Sequence, residues 1–223
     1  MAEYRLEGVV LRSIPYKERD RILTLFTRES GVISLYVAGV SSKNTNKATL
    51  TSPLTRGEFL FKKGRGDLYR FIDGTILDLH LPLRKSYAHL DVAGKLLKAL
   101  LNTQLPGKEA FPLYQLLLAF LNFLPKAKDP MTLYIAFQIK LLKYEGLLSL
   151  TSLCQACDAL ASQIVEGESL CKECGGGMRF EPSEWETLCM LFETQSFSTL
   201  KDLTLPTALQ EGMNLYFEQH LKL

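Results

Sequence analysis

The chain has 223 residues, 47% of them hydrophobic and 22% charged, with a formal net charge of +2. That length holds one large domain or two small ones, and the composition excludes a disordered or fibrous chain. The most apolar stretch, 131–150, is broken by Gln138, Lys140, Lys143 and Glu145, so it reads as a helix with a buried face and not as a membrane span. Charge is uneven: residues 1–80 carry 13 Lys/Arg against 9 Asp/Glu, and residues 81–223 carry 13 against 15. The N-terminal part is therefore the one suited to a polyanion.

From Tyr4 to Leu79 the chain reads as five short strands, Tyr4–Ile14, Arg21–Thr27, Val32–Gly39, Leu54–Lys62 and Leu68–Leu79. They are rich in β-branched and aromatic residues and punctuated by Gly31, Gly57 and Gly64-Arg65-Gly66. Five strands fit a small closed barrel. The polar connection Ser41–Ser52 falls where an oligonucleotide-binding (OB) barrel carries a helix or flexible link, and an SH3-like barrel is the competing arrangement.

After Pro82 the apolar spacing becomes helical: Leu90, Leu96, Leu97, Leu100 and Leu101; then Leu113, Leu116, Leu117, Phe120, Leu121 and Leu124; then Leu133, Phe137, Leu141 and Leu148. Pro106, Pro112, Pro125 and Pro130 fall near the joints, as expected of a residue that suits helix starts and interrupts interiors. Helical spacing resumes over Glu184–Gln195 and Leu209–Leu221, with Glu184 and Glu186 as acidic helix-start residues. The expected fold is α+β and multidomain: an OB-fold domain over 1–80, then an all-α domain over 81–223 carrying a small four-cysteine module at about 150–180.

That module holds Cys154, Cys157, Cys171 and Cys174, two C-x2-C pairs thirteen residues apart. Each pair offers two thiolates to one side of an ion, so four close a tetrahedron around one structural zinc and leave no open position for a reacting water. Two disulfides would suit a secreted chain, but no apolar leader follows Met1 and the fifth cysteine, Cys189, lies in the apolar run Leu188–Phe192. A redox-active pair needs a thioredoxin-like strand and helix, whereas Ser152-Leu153-Cys154 leads into a polar turn. Gly175-Gly176-Gly177 reads as a turn leaving the module, since no Lys-Ser/Thr follows.

Catalytic constellations are scarce. His80, His89 and His220 are scattered and none forms a metal-binding or deaminase pattern. The barrel loops carry more chemistry. The first reads Ser13-Ile14-Pro15-Tyr16-Lys17-Glu18-Arg19-Asp20-Arg21 and the last Lys62-Lys63-Gly64-Arg65-Gly66-Asp67. Lys17, Arg19, Arg21, Lys62, Lys63 and Arg65 are candidate phosphate contacts, and Tyr16 and Tyr69 candidate stacking faces, in the loops such barrels use for nucleic acid. In the helical part, Lys140 and Lys143 beside Tyr134, Phe137 and Tyr144 would permit docking of a short acidic, aromatic peptide.

The run Gly8-Val9-Val10-Leu11-Arg12, then Tyr16 through Thr27 and Gly31, resembles the start of the barrel in the bacterial recombination mediator family RecO, and Leu215–Leu221 resembles its closing helix. The similarity spans essentially the whole chain in the order barrel, helices, cysteine module, helices. It implies a non-enzymatic, cytoplasmic, nucleoid-associated protein for DNA repair and recombination. Such a protein binds single- and double-stranded DNA, anneals complementary strands and helps load a RecA-type recombinase on DNA coated by single-strand-binding protein. The implied partners are RecR and the acidic C-terminal tail of single-strand-binding protein. Departures from the family are Asp158 where a glycine follows the second cysteine, and the less cationic Ala38–Lys43 after the third strand. A protein-interaction scaffold that does not bind DNA, and a zinc hydrolase with an open metal position, are the alternatives from other classes.

Overall fold

The computed structural model describes residues 3–41, 43–64, 66 and 68–220. Two compact units emerge, 1–125 and 126–223. In the first, β1 (Glu3–Tyr16), β2 (Asp20–Thr27), β3 (Gly31–Val37), β4 (Arg56–Lys63) and β5 (Leu68–Asp78) close a barrel in the order β1-β2-β3-β5-β4. Every neighbouring pair is antiparallel except β3 and β5, and β1 returns to pair with β4. A closed five-stranded barrel with its helix between the third and fourth strands is the OB arrangement, and closure leaves no free edge.

Inward-facing Val10, Leu23, Leu25, Ile33, Leu35, Val37, Phe59 and Phe61 fill the barrel, and α1 (Thr45–Leu50) adds Leu50 as a plug. Gly57 and Gly74 make that plug possible. A β-carbon at either position would stand 2.7–2.8 Å from a Leu50 methyl, well inside van der Waals contact, so their places in β4 and β5 mark a close approach.

The chain turns helical at a 3₁₀ turn, Leu81–Lys85, and continues through α2 (Tyr87–Thr103) and α3 (Phe111–Phe123), both within the first unit. Leu96, Leu97, Leu100, Leu113, Leu117, Phe120, Leu121 and Leu124 are buried as their spacing predicts, whereas Leu90 is exposed. The side chain of α3's Tyr114 is fully buried; its ring meets Phe26 of β2 edge-on and its hydroxyl donates to Glu7 of β1 at 2.8 Å.

In the second unit, α4 (Pro130–Tyr144) packs against α5 (Pro182–Glu193) and α6 (Thr207–His220). Asp129 caps α4 by accepting from the Met131 N–H and the Thr132 hydroxyl, and Gln138 donates to Asn214 of α6 at 2.8 Å. The sequence assigns Leu148 to this helix. It is buried but lies beyond it, because Gly146 at φ 72° turns the backbone out and the Leu147 N–H closes onto the Leu142 carbonyl. Glu181 and Glu184 form a reciprocal capping box at the start of α5, the helix-start role expected of Glu184. Between α4 and α5 a three-stranded sheet, β6 (Gln163–Val165), β7 (Glu168–Leu170) and β8 (Met178–Arg179), carries the cysteines.

Candidate nucleic-acid interface and metal centre

Strand register assembles one outward row on the barrel. Ile14 of β1 pairs with Ile22 of β2, Ile22 with Tyr36 of β3, Tyr36 with Arg70 of β5, and Arg70 with Lys62 of β4. Side chains alternate faces along each strand, so the row lies outside the core-lining Leu23, Leu35 and Phe61. Tyr16, 45% exposed, sits above it with its ring perpendicular to that of Tyr36 at 6.1 Å. Apolar and aromatic surface is thereby bordered by cations on the β4–β5 side and at the β1–β2 turn.

The six candidate phosphate contacts divide as follows. Lys17 and Arg19 are exposed in the turn between β1 and β2, with the Lys17 ammonium 5.5 Å from the Tyr16 ring centroid. Lys62 and Lys63 are the last residues of β4, not of the loop, and Lys62 lies beside Arg70 on the outward row. Arg21 belongs to β2 and pairs with Val37 on the core-facing parity. It stands at the barrel mouth and donates to the Ser13 hydroxyl at 3.1 Å. Arg65 lies outside the described residues, as do Ser42, Asp67 and Leu221.

Of the two tyrosines expected to stack, Tyr16 is on the surface, but Tyr69 packs onto the barrel core, 5.1 Å from the Phe61 ring and 6.1 Å from Tyr4. Its position shares the inward parity of Leu35, its partner on β3. Tyr36 and Arg70 take its place on the outer face. The parallel β3–β5 pairing brings them together, and only that register, which joins residues 34 apart in the chain, reveals them.

Near Tyr36 the electrostatics are specific. The Tyr36 hydroxyl donates to Asp20 Oδ2, and the Gly39 N–H donates to Asp20 Oδ1 at 3.1 Å. These two bonds, with Lys17 nearby, hold the Asp20 carboxyl below its ordinary range, and the same carboxylate raises the Tyr36 phenol.

The cysteine module brings all four predicted ligands together. Their sulfurs lie within 4.8 Å of one another, and Cys157 Sγ is 3.6 Å from Cys171 Sγ. Four Zn–S bonds of about 2.3 Å would define a tetrahedron with edges of about 3.8 Å, so the donor set fits that ion. The two C-x2-C turns are built alike: the Asp158 N–H closes onto the Cys154 carbonyl and the Gly175 N–H onto the Cys171 carbonyl, each at 3.0 Å. Asp158 has φ 59°. This is the left-handed region, which glycine adopts freely and aspartate tolerates better than most residues, so the departure from glycine leaves the turn intact.

Main-chain N–H groups point at the sulfurs. Burial is the largest single influence on Cys154 and raises its thiol, but N–H bonds from Cys171, Ala156 and Cys157 outweigh it and bring the group down to about 6. N–H groups of Cys174 and Glu173 lower Cys171 in the same way. Cys174 is pushed up to about 12, first by the Cys157 and Cys171 sulfurs. So close together, all four sulfurs can be thiolates at once only around a cation. The fifth cysteine, Cys189, stands apart, half-buried on α5 with its thiol raised by burial.

Two comparisons bear on this barrel and module. Residues 1–80 match the family model described as "Recombination protein O N terminal". Over 217 residues the chain is 30% identical to "DNA repair protein RecO" of Chlamydia pneumoniae, covering 95% of this chain and 86% of the relative. The chain belongs to the RecO family. Similar RecO proteins include those of Moorella thermoacetica, 29% identical over 78% of this chain and 67% of theirs, and of Bacillus cereus strain AH187, 27% identical over 75% and 68%. Membership makes this a DNA repair and recombination protein with an OB barrel and a four-cysteine cluster consistent with a metal site.

Within the RecO frame, the lysines expected to border a peptide groove are engaged elsewhere. Lys140 and Lys143 donate to the Phe192 carbonyl at 2.8 and 3.1 Å, and Lys143 pairs with Glu193 at 3.1 Å and stands 3.9 Å from the Phe192 ring centroid. They cap the carbonyl end of α5, where positive charge complements the helix dipole. Burial, then repulsion from Lys143, brings Lys140 down to about 8. Phe137 is fully buried. Among the described residues no helix is long and apolar enough to cross a membrane.

Proposed function

We propose that this chain binds single- and double-stranded DNA on the outer face of its barrel, anneals complementary strands, and helps load a recombinase onto DNA coated by single-strand-binding protein. Its partners are RecR and the acidic tail of that protein, and it works in the bacterial cytoplasm at the nucleoid without catalysing a reaction. One structural zinc on Cys154, Cys157, Cys171 and Cys174 supports the second unit. The observation that carries the DNA reading is the outward row Ile14–Ile22–Tyr36–Arg70–Lys62 with Tyr16 above it and Lys17, Arg19 and Lys63 at its margins. Aromatic and apolar surface accepts bases of any sequence, and cations track the phosphates. Annealing needs no general base: neutralising phosphates on two strands lowers their repulsion while the bases stay exposed to pair.

Titration into fluorescent single-stranded DNA at several salt concentrations tests this. The logarithm of affinity should fall linearly with the logarithm of salt concentration. A variant carrying Lys62→Ala, Lys63→Ala and Arg65→Ala should lose about two units of that slope, at roughly 0.7 per phosphate contact, and bind on the order of 10- to 100-fold more weakly while melting as wild type does. Unchanged affinity in the folded variant overturns the assignment of these residues. No binding by wild type at the lowest salt favours the scaffold reading.

A further inference from the structure

A carboxylate stands where a phosphate-binding face should least tolerate one. Asp20 is the first residue of β2, at the base of the turn that carries Lys17 and Arg19, and its charge would repel a DNA backbone drawn to those cations. Both of its oxygens are nevertheless engaged, and each reaches a different element of the face. Oδ2 accepts from the Tyr36 hydroxyl on the outward row of β3; Oδ1 accepts from the Gly39 N–H at 3.1 Å, in the connection between β3 and α1. A second bond, from the Val40 N–H to the Arg19 carbonyl, ties the same connection to the same turn. On the far side of the turn, Tyr16 is the strand partner of Asp20 and meets Tyr36 edge-on.

We infer that Asp20 is a positioning residue for DNA binding: it fixes the Tyr36 ring on the outward row and holds the β1–β2 turn against the root of the β3–α1 connection. The inference rests on the DNA reading above and deepens it. Unclamped, the Tyr36 ring loses the bond that orients it, and the Val40–Arg19 bond is left to hold the cationic turn to the connection, so ring and turn would have to be ordered further when DNA binds, at a cost in affinity. Asp20 is partly exposed and lines no part of the core, so its role is to orient this face and not to hold the barrel together.

The inference predicts a sign opposite to simple electrostatics. Asp20→Ala raises the net charge by one, and if charge alone mattered it would tighten binding to single-stranded DNA. With Asp20 as a clamp, Asp20→Ala weakens binding about 10-fold at an unchanged salt slope. Tyr36→Phe, which keeps the ring and removes the hydroxyl, weakens it about threefold, and the double variant is no weaker than Asp20→Ala alone, because both changes break one linkage. A tyrosine absorbance titration gives a second readout: one phenol ionises at lower pH in Asp20→Ala than in wild type. Equal or tighter binding by Asp20→Ala, or additive losses in the double variant, overturns the inference while wild-type binding keeps the DNA reading intact. Failure of wild type to bind overturns the DNA reading itself and this inference with it. Should Asp20→Ala melt early, the Tyr36→Phe measurement decides alone, since the ring and its packing are retained, and undiminished binding there overturns the inference.

Discussion

Chelating the metal, or replacing Cys154 and Cys171 by serine, should unfold residues 151–180 and move the emission of Trp185 to longer wavelength. The module holds itself together poorly without an ion. Its strands are only two or three residues long, and its buried apolar side chains beyond the cysteines are few, chiefly Ala161, Ile164 and Phe180. Two large buried apolar side chains are too few to order a segment of this size, and segments this small are ordinarily stapled. A four-thiolate zinc, with an apparent binding energy on the order of 10 kcal/mol in small zinc modules, would be such a staple. Trp185 is the only tryptophan in the chain. It is buried, lies 5.9 Å from the Phe180 ring, and donates from its indole N–H to the Thr151 carbonyl at 3.1 Å. Both contacts belong to the ends of the module, so its fluorescence reports the module's folding directly. Metal analysis should find one zinc per chain in wild type and none in the double variant. Trp185 emission that ignores chelation in zinc-loaded protein would rule out a structural role for the ion.

The four-cysteine cluster was legible because its chemistry is written in spacing: two C-x2-C turns can place four sulfurs together whatever the surrounding fold. The barrel was legible too, since β-branched runs and glycine punctuation fixed each strand to within a few residues, and the polar connection after β3 proved to hold α1. What escaped was whatever depends on register. Tyr69 and Arg70 are adjacent in sequence, yet the parallel pairing of β5 with β3 turns the first onto the core and the second onto the surface beside Tyr36. Composition cannot distinguish the two, because a one-residue slip would exchange them. Leu148 misled for a local reason, a glycine turn that ends α4 before its apolar spacing runs out. The lysines of α4 look available from sequence, and only the arrival of the α5 carbonyl end, some fifty residues later, shows their engagement.

Removing the carboxylate of Glu7 should cost the first unit about 3 kcal/mol and leave its fold recognisable. Glu7 Oε1 accepts three bonds: from Arg56 Nε and Nη2, each at 2.7 Å, and from the Tyr114 hydroxyl at 2.8 Å. The partners come from β4 and α3, 49 and 107 residues away, so one oxygen joins barrel and helix. Burial and then the bond to Glu7 raise the Tyr114 phenol, keeping it a donor. The Glu7 and Arg56 side chains are 19% and 31% exposed, enclosed enough that Glu7→Ala strands a guanidinium with little water to replace its partner. Breaking such pairs costs about 3–5 kcal/mol, and partial exposure argues for the lower end. Tyr114→Phe keeps the ring against Phe26 and leaves the Arg56 bonds in place, so it should cost only about 1–2 kcal/mol. Urea unfolding of the full chain, followed by far-ultraviolet circular dichroism, would measure both. The order is diagnostic: a Glu7→Ala loss below that of Tyr114→Phe would mean that Arg56 finds solvent as good a partner as the carboxylate. The same linkage bears on where the chain can be divided. A fragment of residues 1–80 lacks Tyr114 and uncovers Phe26, whereas 1–125 keeps both, and the longer fragment should melt at the higher temperature.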